Sequence, residues 1–232
     1  VNHLRLPPHR LRFEKAGLTG LLIFFLGYFI VLNSLSDVGV GRILALICFS
    51  LIIITGVVTT FRQRWLSFFV ILLAVVLLAL NWLEEFRPGR ALALASHGLS
   101  LIFLATLLAV VIAQVFQEGP VTGHRIRGAI VIYLLQGVLW AIMYQLIALI
   151  FPQAFRLPAA LPAGDPEALR RELTYFSFIT LTTTGYGDIT AVHPVARTLV
   201  MLEALAGQLY PAIVLAWLVS LAVMDRQDKS TQ

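Results

Sequence analysis

The sequence predicts an all-α integral membrane protein: six transmembrane helices plus one shorter re-entrant helix and the loop that follows it. Three observations predict this. First, 59% of the 232 residues are hydrophobic and only 12% are charged, and the mean hydropathy is +0.89. A water-soluble domain carries about a quarter charged residues, so this chain has roughly half the charge that an aqueous surface uses. Second, apolar runs recur at lengths near the ~20 residues a helix needs to cross hydrocarbon. Third, one proline-rich stretch breaks the series and leads into Thr182-Thr183-Thr184-Gly185-Tyr186-Gly187-Asp188, a loop-forming string within an otherwise apolar half.

In chain order, the expected spans run from about Leu18 to Ser36, Val40 to Phe61, Trp65 to Leu83, Ala91 to Gln117, Gly128 to Phe151 and Val195 to Met224. The first run is long and lacks an A-x-A-like site at its end, which argues against a cleaved signal. Between the fifth and sixth spans lies the segment Pro152 to Pro194. Its prolines at 158, 162 and 166 read as an aqueous turret. Asp165-Pro166-Glu167 then reads as a helix start, with an N-cap, a proline at N1 and an acid in the first turn. The helix it opens, Glu167 to Leu181, ends at the loop. The chain divides into an N-terminal segment (1–17), a four-helix region (18–117), a linker (118–127), a two-helix region with its re-entrant segment (128–224) and a tail (225–232). Gly119-Pro120-Val121-Thr122-Gly123 interrupts the helical pattern at the linker. There is no heptad array, soluble repeat or low-complexity region.

Charge orients the chain. With six crossings both termini share a side, and basic residues mark the cytoplasmic one. Arg5, Arg10, Arg12, Lys15, Arg62, Arg64, Arg125, Arg127, Arg226 and Lys229 fall on the side of the termini. Arg42, Arg87, Arg90, Arg156, Arg170, Arg171 and Arg197 fall opposite. Ten against seven, with the bias clearest in the first half, places both termini in the cytoplasm of a multi-pass protein of the cell (inner) membrane. The net charge of +5 suits flanks beside anionic lipid. Nucleic acid is not an expected partner, because the basic residues do not cluster on an aqueous domain. Cys48 sits in an apolar run and has no second cysteine to pair with.

The chemistry of the 182–188 string is specific. Backbone carbonyls can replace the hydration shell of a K+ ion if several subunits present them around one axis. Turning successive carbonyls the same way requires positive φ at some residues, and glycine takes it without steric cost. Gly185 and Gly187 stand at alternate positions for that purpose. The string resembles the selectivity filter of potassium channels. From about His124 to Arg226 the chain resembles the pore domain of the bacterial ion-channel family, which has six helices and one filter per subunit.

The resemblance implies a tetrameric pore. In it the carbonyls of Thr183, Thr184, Gly185 and Tyr186, with Gly187, line a K+ path, and the Thr183 hydroxyl is the innermost ligand. Tyr186 would point away from the ions and brace the loop from behind. Tyr175 to Leu181 would form the pore helix, its C-terminal dipole favouring a cation. Asp188 would accept a hydrogen bond from Tyr175 or stay solvated at the outer mouth. Valine is commonest where this chain has Thr184, and the extra hydroxyl needs a partner behind the filter.

Glu203 is an acid inside an apolar span, where acids face protein or water. It reads either as a proton-sensitive contact to the back of the filter or as a hydrogen-bonded structural carboxyl, and Gln208 nearby serves either reading. Gly207 lies where the family has a gating hinge, and Pro211 removes a backbone hydrogen bond one turn later. The other reading is close packing at Gly207 and a static kink at Pro211. Pro211, Leu215, Val219 and Val223 form one stripe, a pore lining or a packing face. The fourth span holds no arginine or lysine, and His97 is its one candidate charge, so a voltage sensor is not expected. Phe24, Phe25, Phe68, Phe69 and Phe103 are expected to face lipid or neighbouring helices. Glu84 and Glu85 are expected in a short outer loop.

The reading is therefore a homotetrameric, passively conducting K+ channel in a lipid bilayer. It is not an enzyme and has no cofactor beyond the permeant ion. A weakly selective cation channel, a potassium-uptake transporter subunit and a non-conducting membrane scaffold are the alternatives.

Overall fold

The computed structural model describes residues 8–34, 39–59, 64–116, 123–158 and 165–230. These form seven helices: α1 (Pro8–Ser34), α2 (Gly39–Thr59), α3 (Arg64–Phe86), α4 (Arg90–Val115), α5 (Gly123–Ile150), α6 (Pro166–Leu181) and α7 (Pro194–Ser230). The expected break at 119–123 lies outside the described residues up to Thr122, as does Pro162 of the expected turret.

By length and composition, α2, α3, α4, α5 and α7 are each able to cross a bilayer. The apolar part of α1, Gly17–Leu32, is shorter. It lies antiparallel to α2: a Cβ on Gly20 would meet the Thr55 methyl, and one on Gly27 would approach the Cys48 sulfur. Small residues allow such close backbone approach where lipid offers no hydrophobic drive between helices. Gly56 of α2 repeats the device, with Leu107 and Phe103 of α4 against it, and Gly128 of α5 lies against Val115. The Gly128–Val115 contact and the 3.0 Å hydrogen bond between His97 Nε2 and Gln145 Oε1 make α4 and α5 antiparallel.

The core between these helices contains Leu21, Phe25, Ile52, Leu77, Phe103 and Ile132. Of the phenylalanines expected at lipid or neighbouring helices, Phe25 and Phe103 are thus internal, whereas Phe68 and Phe69 are exposed on the outside of α3. Polar side chains within the spans return their hydrogen bonds to their own helix. Ser50 donates to the Leu46 carbonyl, Thr55 to Leu51 and Asn81 to Leu77. That removes the cost of an unsatisfied group in hydrocarbon.

Glu84 and Glu85 require a correction. They are not in a loop but in the last turn of α3, which runs to Phe86, and both are half-buried. They line a cavity of about 490 Å³ beside Arg42, His97 and the first turn of α6. Helix continues past Leu83 because Arg87 N–H still donates to the Leu83 carbonyl, and the chain turns only at Pro88-Gly89.

One element was not read from the sequence. Strand β1 (Phe155–Arg156) pairs antiparallel with β2 (Thr190–Ala191), Phe155 opposite Ala191 and Arg156 opposite Thr190. The Ala154 carbonyl accepts from Val192 N–H at 2.8 Å. This short ladder ties the chain before α6 to the chain after the 182–188 loop, so both ends of the loop are anchored.

Candidate functional site

The site is built on α6. Asp165 caps the helix, its side chain accepting from Glu167 N–H at 3.0 Å, and Pro166 stands at the first helical position. Glu167 occupies the first turn and pairs with Arg170. With 16 residues, α6 is about 24 Å long, short of the ~30 Å hydrocarbon thickness. It ends with its C-terminus against α5 and α7: the Leu181 carbonyl accepts from the Tyr133 hydroxyl at 3.1 Å.

Beyond Leu181 the chain folds back on the helix end. Thr183 N–H donates to the Thr180 carbonyl at 2.9 Å. The N–H groups of Thr184 and Gly185 both point to the Ile179 carbonyl, at 2.9 and 3.3 Å. Positive φ then recurs at every second residue: Thr183 (57°), Gly185 (55°) and Gly187 (79°). Alternating handedness is the condition under which successive carbonyls align to one side of a strand, and only glycine reaches it freely. The two glycines were legible as such. Thr183 was not, because a β-branched residue there carries a steric cost that the surrounding hydrogen bonds must offset.

The loop from Thr182 to Asp188 is exposed in the single chain. Tyr186 is 71% exposed, so bracing it from behind requires surface that this chain alone does not supply. Thr184, the departure from valine, has its partner: its hydroxyl lies 3.0 Å from that of Thr182, which donates to the Phe178 carbonyl at 2.7 Å. Tyr175 and Asp188, thirteen residues apart, meet at 2.9 Å, the phenol donating. The other Asp188 oxygen accepts from Ile189 N–H at 3.0 Å. Desolvation of the phenol, with the Asp188 carboxylate beside it, pushes Tyr175 up to about 12, so it stays a donor near neutral pH.

Behind the loop, Glu203 of α7 is fully buried. One of its oxygens is bonded to the Tyr144 hydroxyl of α5 and the other to the Ser177 hydroxyl of α6. Ser177 also reaches the Gly137 carbonyl at 2.7 Å. Tyr144 packs among Phe155 and Phe176, with ring centroids 5.5 and 5.4 Å away. Neither Tyr144 nor Ser177 was singled out from the sequence. The available signal was Glu203 itself, since a buried acid in a span demands donors.

Gly207 lies against the end of α6. A Cβ there would fall 1.9 Å from the Leu181 carbonyl oxygen. Pro211 lies inside α7, which continues through it. Tyr210 donates to the Ala129 carbonyl at 2.8 Å and holds α7 antiparallel to α5. Gln208, Pro211, Leu215 and Val219 are exposed, and the Val223 side chain lies outside the description. Only 17% of the α7 span is buried, against 50% of α5. Met201, Leu205, Leu209, Ile213 and Leu215 are each more than half exposed.

Residues 171–223 match the ion channel family. The matched stretch takes in most of α6, the whole 182–188 loop, β2 and the apolar part of α7. No curated protein and no solved structure matches the chain. The segment that carries the site is therefore similar to an ion-channel pore, and the helices around it are those of a membrane protein.

Proposed function

We propose that the protein is a K+-selective channel that conducts passively through a pore formed by four copies of the chain. The observation that carries this reading is the alternation of positive φ at Thr183, Gly185 and Gly187, in an exposed loop at the C-terminal end of a helix too short to span. Carbonyls of Thr183, Thr184, Gly185 and Tyr186, with Gly187, then replace the hydration of K+, and the α6 dipole favours the cation. One loop per chain cannot surround an ion, which is the reason for four copies. The sparse burial of α7 supports the same conclusion, because a helix with this much apolar surface lies against lipid or against other copies. Gly207 seats the inner helix on the end of α6, Pro211 removes a backbone hydrogen bond one turn later and is the bending point of that helix, and Leu215, Val219 and Val223 line the inner cavity. The termini are cytoplasmic in this reading, which the distribution of basic residues supports.

Voltage does not steer opening steeply in this reading. Along α4 the only Lys or Arg is Arg90, the first residue, and moving charge through the field is what gives steep gating. The Thr182–Thr184 hydrogen bond favours a filter held in shape over a loose one, and hence selectivity over general cation permeability. The test is flux from purified protein in liposomes. K+ efflux down its gradient without matching Na+ flux supports the proposal. Equal K+ and Na+ flux supports the weakly selective alternative, and no flux refutes both.

A further inference from the structure

We propose that the cavity between the four-helix region and the start of α6 binds a small zwitterion with an apolar body, as an aliphatic α-amino acid has. Two leftover polar atoms carry the inference. Arg170 Nη2 donates to Glu167 Oε2. Glu167 Oε1 and Arg170 Nε are buried and have no hydrogen-bond partner among the described residues. An arginine–carboxylate pair often forms two parallel bonds; this one is joined at a single point, which leaves one acceptor and one donor over. Buried polar atoms of this kind call for a partner. The Glu167 side chain is only 9% exposed, and both residues line the cavity.

An acceptor on an anion beside a donor on a cation is matched by a ligand that carries an ammonium and a carboxylate. The ammonium donates to Glu167 Oε1, and the carboxylate accepts from Arg170 Nε. The ligand is neutral overall, so every charge stays compensated, and charge-assisted bonds are about twice as strong as neutral ones. The rest of the charged lining is balanced in the same way, Arg42 and Arg90 standing with Glu84 and Glu85. Size and apolar wall argue for more than water. The cavity is about 490 Å³, within the range of about 300–1,000 Å³ usual for small-molecule sites, and one water accounts for only about 30 Å³. Leu46 and Phe49 lie one and two turns beyond Arg42 along α2, and with Val138 and Ile142 of α5 they form a buried apolar wall that a branched aliphatic side chain would cover. To reach the two buried atoms, the ligand turns the Glu167 and Arg170 side chains toward the cavity. They stand in the first two turns of α6, whose other end carries the 182–188 loop. In the channel reading the ligand thus acts on the helix that holds the filter; that consequence rests on the channel reading, and the binding does not.

The test is thermal unfolding of the purified full-length protein in detergent, with L-leucine as the probe. A ligand that binds the folded state raises the melting temperature as its concentration rises. L-leucine should do so in wild type. Isopentylamine, which has the ammonium and the apolar body, and isocaproate, which has the carboxylate and the apolar body, should each do so less. Glycine, the zwitterion without the body, controls for general solute effects and should also fall short of leucine. Glu167→Gln should lose the response to leucine. No response in wild type would overturn the proposal and leave the cavity to water only. A response to either single-charge analogue or to glycine equal to that of leucine would overturn the ligand class, and an undiminished response in Glu167→Gln would overturn the site. Should Glu167→Gln fail to fold, Ala93→Trp places a large side chain in the cavity from a half-buried position on α4 and should abolish the response with the ion pair intact; a response that survives it would equally overturn the site. None of these readouts depends on conduction, so a protein that passes no ions would refute the channel reading and leave this one standing.

Discussion

Gly207→Ala tests the packing of the pore helix on the inner helix. The added Cβ would sit 1.9 Å from the Leu181 oxygen, 2.7 Å from its carbonyl carbon and 3.0 Å from its Cα. All three are backbone atoms, so no rotamer relieves the contact. Reaching an ordinary carbon–oxygen separation of about 3.3 Å requires a shift of about 1.4 Å between α7 and the end of α6. Overpacking of this kind costs about 1–3 kcal/mol, at times more. Alanine's better helix propensity returns about 1 kcal/mol, and the rigid target places the net loss toward the upper part of the range, about 2 kcal/mol or more.

Gly98 of α4 is the internal control, because a Cβ there meets nothing within 4 Å. Gly98→Ala should be neutral or stabilising by about 0.5–1 kcal/mol. Gly137→Ala lies between: its Cβ would fall 2.3 Å from Phe178 Cζ, a side chain with some freedom to turn. Thermal melts of the three variants in one detergent should rank Gly98→Ala above Gly137→Ala above Gly207→Ala. A Gly207→Ala melt equal to that of Gly98→Ala would refute the close contact and the reasoning built on it.

Three further outcomes follow from the same site. Gly185→Ala puts a Cβ at φ 55°, against the preference of L-residues, and should abolish K+ flux or K+ over Na+ discrimination without unfolding the helices; unchanged discrimination contradicts the filter assignment. Tyr175→Phe deletes the 2.9 Å bond to Asp188 and should cost about 0.5–1.5 kcal/mol, read as a lower melting temperature with flux altered rather than lost; a melt and current identical to wild type would make the pair incidental. Opening should depend weakly on voltage, since each charge crossing 100 mV supplies about 2.3 kcal/mol and α4 carries none beyond Arg90; an effective gating charge above about four per channel would contradict that.

What could be read in advance depended on whether the signal was local. The start of α6 was legible because an Asp-Pro-Glu run has one good use, as cap, first turn and acid. The loop was legible through Gly185 and Gly187, whose spacing answers a backbone requirement. Thr183 was not, because its positive φ is imposed by hydrogen bonds to α6 and by no property of threonine. Glu203 announced itself by its cost in a span, but its partners lie 59 and 26 residues away, and only the meeting of three helices selects Tyr144 and Ser177. Glu84 and Glu85 were misplaced because two acids beside an apolar run look like a loop, whereas the helix carries them into a cavity shared with Arg42. The β1–β2 pair escaped notice because two-residue strands leave no periodicity to read.

The most direct test of the central claim is the reversal potential of purified protein in a planar bilayer, with K+ on one side and Na+ on the other. Single-channel currents should reverse close to the K+ equilibrium potential, and Gly185→Ala should eliminate them. Currents reversing near zero under the same gradient would contradict K+ selectivity, and a bilayer that stays silent would contradict the channel itself.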